Sequence, residues 1–148
     1  MPIMLTTASF GYAVRLTGLW AAWLLVMLFH VELGLMPLFH GLSVEIKSQV
    51  APSRLPRLFL TMLFYFLVPV GALLVAVHAS ADPVGWSASV PWRAAQFWLS
   101  VVYTLTNLIH LVADIRIPDA RLDQVILMLV LTLIGLLINQ QTWAWWQS

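Results

Sequence analysis

The sequence predicts an all-α integral membrane protein: an antiparallel up-down bundle of four transmembrane helices, one domain over residues 1–148, with both termini on the outer, non-cytoplasmic side. Three observations point to this class. The chain is 61% hydrophobic and only 9% charged, with a mean hydropathy of +0.91, more apolar surface than a water-soluble core of this size can hide. The apolar residues fall into four runs, each close to the ~20 residues with which a helix crosses ~30 Å of hydrocarbon. The links between runs are short, which makes neighbouring helices antiparallel. Backbone groups in lipid must pair within their own segment, so each run is helical, and the alternation of barrel strands is absent.

The first run, about 16–39, contains Gly34 and ends near Pro37. Proline has no N–H, so Pro37 frees the carbonyl of Leu33 and bends or stops the helix. Leu42, Ile46 and Val50 then recur at intervals of four, the pattern of a short interfacial helix over 42–50. Pro52 and Pro56 break the chain before the second run, about 58–78, where Pro69 and Gly71 predict a kink midway. The third run covers about 94–113. The fourth, about 122–142, follows Pro118 and has Asp119 and Asp123 near its first turn, where carboxylates suit the positive end of a helix. The first fifteen residues lack an early basic residue and a small-residue cleavage pattern, and read as mature sequence rather than a cleaved signal.

Orientation follows from charge. Of the 7 Lys and Arg residues, Lys47, Arg54, Arg57, Arg116 and Arg121 lie in or beside the first and third loops, and only Arg15 and Arg93 lie on the other side. That asymmetry places the first and third loops in the cytoplasm, in a membrane of the bacterial inner type. The 8 tryptophans, Trp20, Trp23, Trp86, Trp92, Trp98, Trp143, Trp145 and Trp146, all map to the outer half. They read as a one-sided boundary belt, serving as anchors or as a cofactor or partner surface.

Polar residues inside the spans carry the functional expectations, because an ionisable group in a membrane span is costly. Tyr103, Asn107, His110 and Asp114 recur at spacings of four, three and four, one face of the third helix, and predict an interhelical polar cluster. His110 and Asp114 are also placed to meet directly. In the first helix, His30 and Glu32 are separated by about 200°. His30 is expected to face the bundle, on the side of Gly34 and Gly41. Glu32 is then expected to be neutral, paired with another subunit, or held by an arginine such as Arg57.

Several functions fit these residues. His30 and His110 from different helices suit a b-type haem. His30, His110, Asp114 and Glu32 suit a divalent metal ion. The same imidazoles and carboxylates suit proton or quinone-head chemistry. Alternatively, the polar groups only fix helix packing. With so little chain outside the membrane, the leading expectation is an accessory or structural subunit of a larger membrane complex, or a homo-oligomer, in contact with lipid. An oligomeric transporter is a further reading. Enzyme activity is not favoured, since no nucleotide loop, nucleophile elbow or histidine box appears. With a net charge of +1 and no cysteine, nucleic-acid binding and thiolate chemistry are not expected.

Overall fold

The computed structural model describes residues 2–43, 51–117 and 121–148, with side chains from Ser9 onward. Four α-helices are present among them: α1 (Pro2–Phe39), α2 (Leu55–Ala81), α3 (Val90–Arg116) and α4 (Leu122–Gln147), with short 3-10 turns at Pro52–Arg54 and Trp86–Ala88. The described residues contain no strand. All four helices are long and apolar enough to cross a membrane. The expected interfacial helix falls almost wholly on residues outside the described set, as do Lys47, Pro118 and Asp119.

Cross-helix contacts fix the topology. Ser9 meets Trp145 and Arg15 meets Gln141, so α1 and α4 are antiparallel. Tyr103 meets Tyr65 and Gln96 meets Ala72, so α2 and α3 are antiparallel. Trp20 meets Gln96 and His30 meets His110, so α1 and α3 run in the same direction. The bundle therefore has a termini end, carrying residue 9, the 82–89 turn and Ser148, and a loop end, carrying residues 40–43, 51–54, 117 and 121.

The buried side chains of α1 are Ser9, Ala13, Leu16, Trp20, Trp23, Met27 and His30, alternating in steps of four and three. This is the spacing with which nearly parallel helices interlock. Helix α4 shows the same rhythm from Gln124 through Met128, Leu131, Gly135, Ile138 and Thr142 to Trp145. Gly135 lets α3 approach closely, since a Cβ there would lie 2.6 Å from Thr104 Oγ1. Helix α2 behaves differently along its length. Pro69, Ala72, Ala76 and Ala79 are buried, whereas no side chain from Ala51 to Val68 is buried.

Both intrahelical prolines leave a carbonyl that another helix satisfies. Pro69 cannot donate to Tyr65 O, and the Tyr103 hydroxyl donates there instead at 2.6 Å. Pro37 likewise frees Leu33 O, which accepts from Arg121 Nη1 at 2.9 Å. Helix α1 runs on past Pro37 and ends where Gly41, at φ +70°, lets Leu42 N–H reach Pro37 O, a left-handed C-terminal cap. Gly41 thus terminates the helix rather than serving a packed face.

The tryptophans do not form one boundary belt. Trp20, Trp23 and Trp145 are wholly buried. Trp20, Trp23 and Tyr103 meet edge to face, filling the space between α1 and α3. Trp145 Nε1 donates to Ser9 Oγ at 2.9 Å, and Arg93 lies over its ring. Trp86, Trp92, Trp98 and Trp143 are exposed. Eight indoles in one half overstate a belt because the widest side chain also suits a bundle core.

Candidate functional site

The α1 stripe that buries Trp20, Trp23 and Met27 continues one turn further to His30, which is only 8% exposed. Helix α3 contributes Asn107 and Asp114, 1% and 8% exposed. Its His110 stands at the edge of that stripe with half its side chain exposed. Parallel α1 and α3 bring the two imidazoles into edge-to-face contact, ring centroids 5.2 Å apart. A nitrogen of His30, a nitrogen of His110 and a carboxylate oxygen of Asp114 lie within 4.8 Å of one another. His110 Nε2 is 3.6 Å from Asp114 Oδ1, slightly beyond hydrogen-bond reach.

Helix α4 supplies a residue that the sequence reading overlooked. Gln124 donates from Nε2 to His30 Nδ1 at 2.8 Å and to the His30 carbonyl at 3.2 Å, and its Oε1 accepts the Gly34 N–H at 3.0 Å. The two backbone groups set this amide orientation, and the amide in turn sets the imidazole. With Nδ1 accepting, neutral His30 carries its proton on Nε2, the nitrogen left for His110 and Asp114. The available signal was positional: Gln124 follows Arg121 and Asp123 as the third residue of α4, where a buried amide has no helix-capping role.

The polar atoms here are incompletely satisfied. Asp114 Oδ2 and both amide atoms of Asn107 are buried without a hydrogen-bond partner among the described residues, as is Trp23 Nε1. A native interior pairs almost all such groups. Of the predicted cluster, Tyr103 is spent elsewhere, on Tyr65 O.

Other candidates lie apart. Glu32 is exposed on the far side of α1 and is not among the three grouped ligands. The physical reason is the helical turn of about 200° between it and His30. His40 is exposed beyond the end of α1. His78 belongs to the termini end, with Nδ1 3.0 Å from Ser87 Oγ and its ring beside Trp86. A haem held between His30 and His110 does not fit, because rings in edge-to-face contact leave no slot for a macrocycle between them.

No family model, curated protein or solved structure matches the chain. The chemistry of the site therefore rests on its own groups. Two imidazoles and a carboxylate, one oxygen of which has no donor among the described residues, form an arrangement that accepts positive charge.

Proposed function

We propose that this chain is a small integral membrane protein whose function is exercised at a cation site formed by His30, His110 and Asp114, close to one boundary of the bilayer. Asp114 carries the reading. A carboxylate that is 8% exposed, with an oxygen that has no hydrogen-bond partner among the described residues, is stabilised when a cation joins it. Two imidazoles stand within reach of it.

Depth makes such a site workable. Arg121, just before α4, reaches Leu33 O, and Gln124 reaches His30. The site thus lies about one turn inside the α4 terminus, close enough to the boundary for ions to arrive from water. The same register puts Glu32 level with that terminus, which lowers the cost of its exposure without any partner. The excess of Lys and Arg at the loop end supports a cytoplasmic boundary of a bacterial-type inner membrane. Single cysteines at Ser43 and Val84 test this orientation with an impermeant thiol reagent on intact cells. Labelling of Val84→Cys alone is expected, and labelling of Ser43→Cys alone contradicts it.

Thermal unfolding of the solubilised protein tests the cation site. The melting temperature of the wild type is expected to rise with divalent ions, and that of Asp114→Asn to stay flat. A wild type as flat as the variant contradicts the proposal. A second reading, an accessory subunit of a larger membrane assembly, is supported by the loop-end half of α2, where no side chain is buried. Mass measurement after gentle extraction decides it, a lone protomer being the contrary result.

A further inference from the structure

We infer that the cation is a divalent transition-metal ion, of the zinc, iron or manganese kind, held by one imidazole nitrogen each from His30 and His110 and by the carboxylate of Asp114. The inference rests on the cation reading above and names the ion class. The donor set decides that class. Two nitrogens and one oxygen suit these borderline ions. Calcium and magnesium favour oxygen alone, and a chain without cysteine offers no thiolate.

The geometry needs only a small closure. With bonds of about 2.0–2.2 Å, donor atoms around such an ion sit roughly 3 to 3.5 Å from one another. The three donors already lie within 4.8 Å. His110 can supply the remaining movement, because its side chain is half exposed and turns without displacing the core. His30 is the fixed member, held through Nδ1 by Gln124.

Independent of the grouping, Asp114 Oδ2 is buried with no hydrogen-bond partner among the described residues, an acceptor that a cation would satisfy. Loading shifts the single ring proton of His30 from Nε2 to Nδ1. Gln124 follows by turning its amide, giving up its bonds to the Gly34 N–H and the His30 carbonyl, so that Oε1 accepts that proton, the outer contact that commonly orients a metal-bound imidazole. Three protein ligands leave at least one coordination position open. That position is reached from the exposed flank of His110, so a small ligand could meet the metal there.

Cobalt(II) titration of the full-length, metal-stripped protein in detergent micelles tests the assignment, with visible d–d absorption as the readout. One cobalt per chain, displaced by zinc, is expected. His110→Ala and Asp114→Asn should each weaken binding about 10-fold or more, while Glu32→Gln and His40→Ala leave it unchanged. Absence of saturable binding in a protein of native helicity overturns the metal, as does binding that depends on Glu32 or His40 instead. If cobalt fails to bind but calcium or magnesium still raises the wild-type melting temperature and not that of Asp114→Asn, the cation is of the oxygen-preferring kind and only the transition-metal assignment falls. If the wild type responds to neither, the cation site falls with it.

Discussion

In the termini-end half of the bundle, Trp20 Nε1 donates to Gln96 Oε1 and Gln96 Nε2 donates to Ala72 O, so three helices are tied through one buried amide. In the loop-end half, Asn107 is another buried amide on the same helix, and neither of its polar atoms has a partner among the described residues. The two residues share a face of α3, eleven positions apart, and meet opposite surroundings. Around Gln96, α2 is packed through Ala72, Ala76 and Ala79. Toward the loop end, no α2 side chain before Pro69 is buried. Trp23, whose indole N–H has no partner among the described residues, stands where one regime gives way to the other. The difference separates a half whose buried amide is fully bonded from one whose buried amide has no partner among the described residues. A closed polar network rigidifies a fold, whereas an incomplete one is tolerated where something else completes it.

The largest effect should come from removing a core indole at the closed end. Trp20→Ala takes a fully buried ring out of contact with Trp23 and Tyr103 and leaves Gln96 Oε1 unpaired. The expected loss is about 3–5 kcal/mol, read by reversible unfolding in mixed micelles. A loss below about 1 kcal/mol would remove the distinction between the halves.

Gly135→Ala should come next. Its new methyl group meets Thr104 Oγ1, and overpacking of this kind costs about 1–3 kcal/mol. Adding Thr104→Ala should restore part of the loss, and an additive pair would show that α3 and α4 do not meet there.

Tyr103→Phe should cost about 1 kcal/mol by leaving Tyr65 O without a donor. The informative comparison is the same change in a Pro69→Ala background. There the restored N–H supplies Tyr65 O, and the cost should shrink. An equal cost in both backgrounds would mean that the hydroxyl is not serving the proline-freed carbonyl.

The smallest effect on stability is expected at the open end. Asn107→Leu removes an amide that makes no hydrogen bond among the described residues, so its metal-free stability should change by less than about 0.5 kcal/mol, or rise. A loss as large as that of Trp20→Ala would show that Asn107 is fully bonded in the working protein.

Much of the architecture was legible because periodicity and hydropathy report directly on long apolar helices. Four runs became four helices; His30 was assigned inward by the side on which Gly34 and Gly41 lie, and the helical angle turned Glu32 away from it. The freed Leu33 carbonyl was also predictable from Pro37, but Arg121 as its donor was not. A proline specifies what is missing, and only tertiary register specifies what arrives. Gln124 escaped notice for the same reason: its contact with His30 is set by the alignment of α1 and α4, ninety-four residues apart in sequence. The tryptophans were misleading because their indoles suit both a headgroup boundary and a close-packed interior.

Anomalous diffraction at the zinc edge, from crystals of the wild-type protein grown with zinc, tests the metal site most directly. The expected result is a peak bounded by His30, His110 and Asp114 in the loop-end half, with no peak in the closed half. Zinc found only at surface groups such as Glu32 and His40, with Asp114 Oδ2 bonded to another protein side chain, would contradict it.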